Sequence, residues 1–463
     1  MAALTPLRCG GVCLETMHVD TLIEAGWVLP IRPRGAALPD HAVAIERGRI
    51  VAVLPAAQAR SAFQARQHLR LPGQVLMPGF INLHTHASMS LLRGVGDDLP
   101  LMRWLNERIW PLERALVSEQ FVYDGARLAA LEMLRGGTTC CSDMYFFPDA
   151  AARGLRALGM RCAVGAIAIE FPSAYAADAD DYLSKGLAAR DTWRGDPLAS
   201  FTLAPHAPYT VSDATLSRIA MLSEELDLPV HIHLHETEHE IDESVAAFGM
   251  RPLERLERLN LVNERLIAVH AVHLLPAEIQ LLAARGASVA HCPASNLKLA
   301  SGLAPLAALR QAGVNVGIGT DGAASNDRLD MMSESRLGAL LAKAVAKDAA
   351  ALPAAEILEC ATLSGARALG LESRIGSIEV GKEADLIAID LEQTETIPLF
   401  DPIAQLVYSA GRESVNHVWI GGAHVVQMRQ LAESPAEAAE SDINRLARAW
   451  QNKAQQFLEE SAN

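Results

Sequence analysis

The chain has 463 residues, half of them apolar and 21% charged, with a formal net charge of −15 and a mean hydropathy of +0.14. This composition excludes a disordered chain, and no apolar run is long enough to span a bilayer. The acidic balance argues against nucleic acid as a partner, because phosphate binding needs a basic surface; a small neutral or cationic substrate is easier to accommodate.

Residues 1–16 hold one arginine and no apolar segment of signal-peptide type, so they read as an N-terminal extension, with Met17 as an alternative start. The seven cysteines, Cys9, Cys13, Cys140, Cys141, Cys162, Cys292 and Cys360, are odd in number and form no CxxC. Cysteines scattered in this way imply reduced thiols and a cytoplasmic location. From Asp20 to about Pro72, short alternating runs (Ala42–Ile45, Arg49–Leu54) broken by Gly48 and Pro55 predict hairpins of a small β-domain. Similar material returns at Gly376–Ile378, Ala384–Ile389, Val415–Ile420 and Val425-Val426. Both ends are therefore expected to build one discontinuous β-sandwich, 17–74 with 373–432, leaving 75–372 as an inserted domain and 433–463 as a C-terminal helix.

Between the ends, eight apolar β-like runs alternate with amphipathic stretches: Val75–His86, Thr138–Met144, Arg161–Ile169, Ala199–Pro205, Pro229–His235, Leu266–His273, Ala287–Cys292 and Val314–Thr320. Eightfold alternation predicts an α/β fold of the TIM type, a (β/α)8 barrel with its active site at the C-terminal ends of the strands. Polar residues fall where that rule asks. His84 and His86 end the first run, and His206 follows the fourth. His233 lies late in the fifth, His270 late in the sixth, His291 ends the seventh, and Asp321 follows the eighth.

The first run, Met77-Pro78-Gly79-Phe80-Ile81-Asn82-Leu83-His84-Thr85-His86, reads as a buried strand. Side chains alternate faces along a strand, so His84 and His86 point the same way and form half of a metal site. In the fifth run His231, His233 and His235 share the inward face; one at the right depth suffices as a ligand, and Glu236 lies at the mouth. Here His235-Glu236-Thr237-Glu238-His239 also matches HExxH, the zinc-peptidase motif, which works only on a helix. Its first half continues a strand, so a peptidase is the disfavoured alternative. His84, His86, His233 and Asp321 together make an N/O site without thiolates, suited to zinc or iron(II) with one position open for water.

The segments PGFINLHTH, HAPYT, IHLHET, VHAVHL, HCPASNLKL and GTDGAASN, in this order, resemble the amidohydrolase superfamily. More narrowly, they resemble the branch holding 5'-methylthioadenosine/S-adenosylhomocysteine deaminases, chlorohydrolases and guanine deaminases. The resemblance extends to Gly381-Lys382-Glu383-Ala384-Asp385-Leu386 and implies that His84, His86, His233 and Asp321 bind one metal. It gives His270 a contact to the attacking water and Glu236 proton transfer to the substrate ring, with Asp321 taking the water's proton. It also places Glu113 on the ribose hydroxyls and His206 on the ribose side. Trp104, Trp110 and Met89 are candidates for an apolar wall. No lysine stands in the third or fourth run, where binuclear members carry a carboxylated one, so a mononuclear site is expected. The HxE and PCxxC pattern of the other nucleobase-deaminase fold is missing.

The implied activity is metal-dependent deamination of an adenine nucleoside. The expected reaction takes 5'-methylthioadenosine to 5'-methylthioinosine and ammonia, with S-adenosylhomocysteine or adenosine as weaker substrates. Alternatives within the fold are a guanine- or 8-oxoguanine-type deaminase and a chlorohydrolase. A homo-oligomer with one zinc per subunit (iron(II) as the alternative), no nucleic acid and no membrane completes the expectation. The stretches 165–172 and 178–182 offer no arginine for an amino-acid carboxylate. Glu170 and Asp180 are expected to repel one.

Overall fold

The computed structural model describes residues 16–432 and 436–461; most of the N-terminal extension, residues 1–15, lies outside them. Two eight-stranded sheets organise the chain. One is built from both ends: β1 (Met17–Val28), β2 (Leu38–Glu46), β3 (Arg49–Pro55) and β4 (Phe63–Pro78) pair with strands that follow residue 385. The other is the ring of parallel strands β5 (Phe80–Thr85), β6 (Thr138–Asp143), β7 (Arg161–Ala168), β8 (Ala199–Pro205), β9 (Val230–Leu234), β10 (Leu266–His270), β11 (Ser288–His291) and β12 (Asn315–Ile318). The late strands of the first sheet are β13 (Leu386–Asp390), β14 (Val415–Ile420), β15 (Ala423–Gln427) and β16 (Gln430–Leu431), giving the order β16-β15-β14-β13-β4-β1-β2-β3.

The eight ring strands correspond to the eight apolar runs, with one correction. The first run is not one strand: Val75–Pro78 belongs to β4 and pairs with β13, while the barrel strand begins at Phe80. Gly79 makes the passage between sheets, and a Cβ there would meet the Thr139 side chain at 2.1 Å. The ring strands are nearly all buried because helices cover a parallel sheet from outside and side chains fill it from within.

The β5/β12 seam closes through specific polar contacts. The His84 carbonyl accepts from the backbone N–H of Thr320 (3.1 Å) and Asp321 (3.0 Å), while Asn82 bonds both the backbone and the hydroxyl of Thr320. Gly319 permits this approach, since a Cβ at that position would lie 2.9 Å from the His84 nitrogen. The seam thus brings the first and last ligand-bearing strands together.

The end sheet curls on itself. The β2–β3 turn at Arg47-Gly48 has both residues left-handed, as a tight hairpin requires. It then bonds back to the chain before β13, through Ala384 N–H to Gly48 O (2.9 Å) and Gly381 N–H to Ile50 O (2.8 Å). Ile23, Val43, Ile50, Leu386 and Trp419 fill the space enclosed. Arg161, 1% exposed, joins this sheet to the barrel through a bidentate pair with Asp385 (2.7 and 2.9 Å) and a 2.6 Å bond to Glu383. The helix Ala436–Ser461 lies on the helix Glu119–Arg135, with Trp450 against Phe121 and its Nε1–H donating to Asp124. Among the described residues no helix is long and apolar enough to cross a membrane.

Candidate active site and metal centre

At the C-terminal rim of the ring, His84, His86, His233 and Asp321 converge, one ligand atom from each lying within 4.8 Å of the others. Asp321 Oδ1 is 3.3 Å from Nε2 of both His84 and His86. That spacing matches the edge of a tetrahedron with bonds of about 2 Å to a shared centre.

Each imidazole is oriented from behind. His86 Nδ1–H donates to the Met144 carbonyl (2.5 Å), and His233 Nδ1–H to that of His206 (2.7 Å). His84 Nδ1–H donates to His231 Nε2 (2.9 Å), whose Nδ1 faces the Ser142 hydroxyl (3.3 Å). These partners fix the tautomers and turn each Nε2 lone pair towards the centre. Burial lowers the His84 pKa to about 4 and that of His233 well below the usual value, so both rings are neutral, as metal ligation requires. The Asp321 carboxyl stays well below the usual carboxylate range although burial opposes it. The Asp321 carboxylate also accepts from the Gly322 N–H at Oδ1 and from the Ser295 and Ser325 hydroxyls at Oδ2, all at 2.7–2.8 Å.

Buried His84 Nε2 has no hydrogen-bond partner. An orphaned lone pair at the meeting point of two more imidazoles and an ionised carboxylate is costly without a cation and natural with one. The residues therefore fit a divalent metal with nitrogen and oxygen ligands.

Opposite this cluster lie Glu236 and His270, both buried, with Glu236 Oε2 3.8 Å from His270 Nε2. His270 Nδ1–H donates to Asn296 Oδ1 (2.8 Å). Its backbone is left-handed (φ 69°), as is that of Asp321 (φ 60°), conformations that non-glycine residues hold only under local constraint. Burial raises the Glu236 carboxyl above the ordinary glutamate range. For His270, burial pulls down while Glu236, Asp321 and Asn296 together raise it.

The floor opens into a cavity of about 910 Å³, mouth included. Met89, Trp104, Trp110 and Phe171 form apolar walls, with His206 and Glu113 among the polar lining. Glu113 accepts from the Tyr145 hydroxyl (2.6 Å), and burial pushes its carboxyl up to about 7 against that bond. A second compartment shares Trp110, Glu113, Phe146 and Phe171 with the first and carries Arg114 on its wall.

The structure separates the remaining sequence candidates. His235 leaves the inward face because its backbone turns left-handed (φ 54°), and its Nε2 accepts from the Leu253 N–H. The helix after β9 starts at Glu238, and His239 is exposed beside Glu243, so the HExxH spacing forms no metal site. His291 lines a separate small cavity. Glu170 and Asp180, expected near the substrate's outer end, are engaged elsewhere: Glu170 caps Ser212 and Thr215, and Asp180 pairs with Arg218. Ser295, Asn296, Ser325 and Tyr145 were not singled out from sequence, although three of them lie inside the motifs HCPASNLKL and GTDGAASN.

The amidohydrolase family model matches residues 75–425. A Teredinibacter turnerae protein named 5-methylthioadenosine/S-adenosylhomocysteine deaminase is 48% identical over 417 residues, covering 90% of this chain and 94% of its own. A crystal structure of an adenosine deaminase from Xanthomonas campestris with bound zinc superposes with a TM-score of 0.93 at 54% identity, over 95% of this chain and all of that one. Atrazine chlorohydrolase from Arthrobacter aurescens, at 24% identity and a TM-score of 0.85 over 92% of this chain and all of its own, shares the fold. A barrel whose first, fifth and eighth strands deliver this ligand set, matched along three quarters of its length, identifies the chain as a member of the amidohydrolase family.

Proposed function

We propose that the chain is a zinc-dependent hydrolase that deaminates an adenine nucleoside, with 5'-methylthioadenosine as the preferred substrate. The convergence of His84, His86, His233 and Asp321 opposite Glu236 and His270, at the floor of a cavity with Glu113 on its wall, carries this reading. The names of the relatives, deaminases of methylthioadenosine, S-adenosylhomocysteine or adenosine, point to the same substrate class.

When bound, zinc supplies the Lewis-acid charge that lets water ionise near pH 7. Asp321 accepts a proton from the attacking water, its carboxylate held in place by Ser295 and Ser325. His270, locked by Asn296, orients that water and offsets the charge that develops in the tetrahedral intermediate. Glu236, which burial keeps protonated more readily than a surface carboxyl, gives its proton to the ring nitrogen beside the amine-bearing carbon. The carbon–oxygen bond forms and the carbon–nitrogen bond breaks; the amine leaves as ammonia with the proton that Asp321 took from water, and the remaining hydroxyl proton of the adduct returns to Glu236, restoring both carboxyls. Glu113 and His206 hold the ribose, a carboxylate being suited to two hydroxyl donors.

A screen of aminopurines and their nucleosides for ammonia release, with metal-replete and chelated protein, tests the reading. Turnover confined to adenine nucleosides and lost on chelation supports it. Turnover of a free base or a chlorinated heterocycle instead would replace it.

A further inference from the structure

Immediately after the HExxH-like stretch stands a glutamate, Glu240, that the chemistry above leaves unused. Glu240 is 4% exposed, and its carboxylate spans two consecutive backbone amides: Oε1 accepts from the His235 N–H at 2.9 Å and Oε2 from the Glu236 N–H at 2.8 Å. Those amides belong to the turn where the chain leaves β9. His235 is left-handed there (φ 54°), and the next residue carries the carboxyl that faces His270. Glu240 itself is fixed on the first turn of the helix Glu238–Phe248, where its own N–H donates to the Thr237 hydroxyl (3.2 Å). A glutamate three residues into a helix ordinarily reaches back to the capping residue's own amide. This one reaches further, to the two residues before it. Among the described residues no cation pairs with it; its two acceptors are taken up by the backbone of the turn that carries Glu236.

We infer that Glu240 is a positioning residue that holds Glu236 in register with the substrate by gripping the two backbone amides on either side of the His235 α-carbon. The inference rests on Glu236 being the proton carrier. Removing the grip frees a left-handed turn to relax and moves the Glu236 carboxyl, and a displacement of about 1 Å at a reacting group can cost on the order of a hundredfold in rate. The ligand atoms of the metal centre come from other bonds, so the metal should be unaffected.

The test is a double-mutant cycle on the full-length, metal-loaded protein: wild type, Glu240→Ala, Glu236→Gln and the combination, each assayed for kcat, KM and metal content. Glu240→Gln serves as the isosteric variant should the alanine form not fold, since its amide would face one backbone donor and break half of the grip. The expected result is a kcat at least tenfold lower in Glu240→Ala, with KM within about twofold, full metal content, and little further loss when Glu236→Gln is already present. Hydrogen exchange of the 234–241 peptide should accelerate in Glu240→Ala. Losses that simply multiply in the double variant, a fall in metal content, or wild-type kcat in both Glu240 variants would overturn the inference. An active wild type with an inactive Glu236→Gln, beside an unaffected Glu240→Ala, overturns this inference alone. Full activity in Glu236→Gln would remove the role of Glu236 itself.

Discussion

In the proposed chemistry Glu236 carries the proton, and its environment suits a proton donor rather than a ligand. It is buried, receives one weak bond from the Ser301 hydroxyl at 3.3 Å, and lies outside the four-atom ligand cluster. Replacing it with glutamine keeps size and polarity but removes the transferable proton. Metal content should stay at the wild-type level while kcat falls at least about a hundredfold. Inductively coupled plasma measurements beside steady-state rates check both halves, and a near-native rate would take Glu236 out of the mechanism. The ligand residues were legible in the sequence because each ends an apolar run, where alternation fixes which way a side chain points. The residues that support them were not. Ser295 and Asn296 act from a short helix after β11, and no periodicity distinguishes a serine bonded to Asp321 from one facing solvent.

At the scale of elements, the sequence carried strand count and order well and strand ends poorly. The passage from β4 to β5 reads as one apolar run because both strands are buried; only the tertiary pairing of Val75–Pro78 with β13 separates them. Likewise, three histidines at alternating positions share a face only while the strand lasts, and the left-handed turn at His235 ends it. The Arg161 pair was invisible to any local pattern, since its partners lie more than 220 residues away. It fastens β7 to the segment before β13, so Arg161→Ala should leave Asp385 buried without its cation, while Glu383 keeps Arg374, at a cost of about 3–5 kcal/mol. Burial tends to raise the Glu383 pKa, but Arg374 and Arg161 hold it below the ordinary glutamate value. A depressed pKa stabilises the fold above the unfolded value and loses that contribution as pH falls through the folded one. The deficit of the variant should therefore be largest at neutral pH and shrink on acidification. Urea unfolding at pH 7 and near pH 4 would show it, and a deficit that is equal at both would mean that the pair contributes through packing alone.

At the scale of the whole molecule, the barrel gathers ligands from three strands, and the loops after them shape what the site admits. The catalytic cavity is lined by Glu113, Glu236 and Asp321, with no lysine or arginine among the described residues on its wall. On the proposed substrate class, a 5'-substituent ending in a carboxylate would lose its solvation there without a cationic side chain to replace it, whereas a methylthio group would find apolar Trp110, Phe146 and Phe171. The expected penalty is desolvation without a lysine or arginine partner; Glu170 and Asp180 are engaged elsewhere. S-adenosylhomocysteine should thus have a kcat/KM at least about tenfold below that of methylthioadenosine, a difference of about 1.4 kcal/mol. Arg114 lines the outer compartment that adjoins this cavity and could meet such a carboxylate there, so Arg114→Gln should widen the gap. Equal kcat/KM for the two nucleosides, unchanged by that substitution, would contradict this selectivity. The most direct measurement of the whole arrangement compares two histidines six residues apart for bound metal and for turnover of methylthioadenosine. His233→Ala should lose both, while His239→Ala, exposed on the following helix, should keep both. Full metal content in the His233 variant, or its loss in the His239 variant, would contradict the site assigned at the end of the barrel strands.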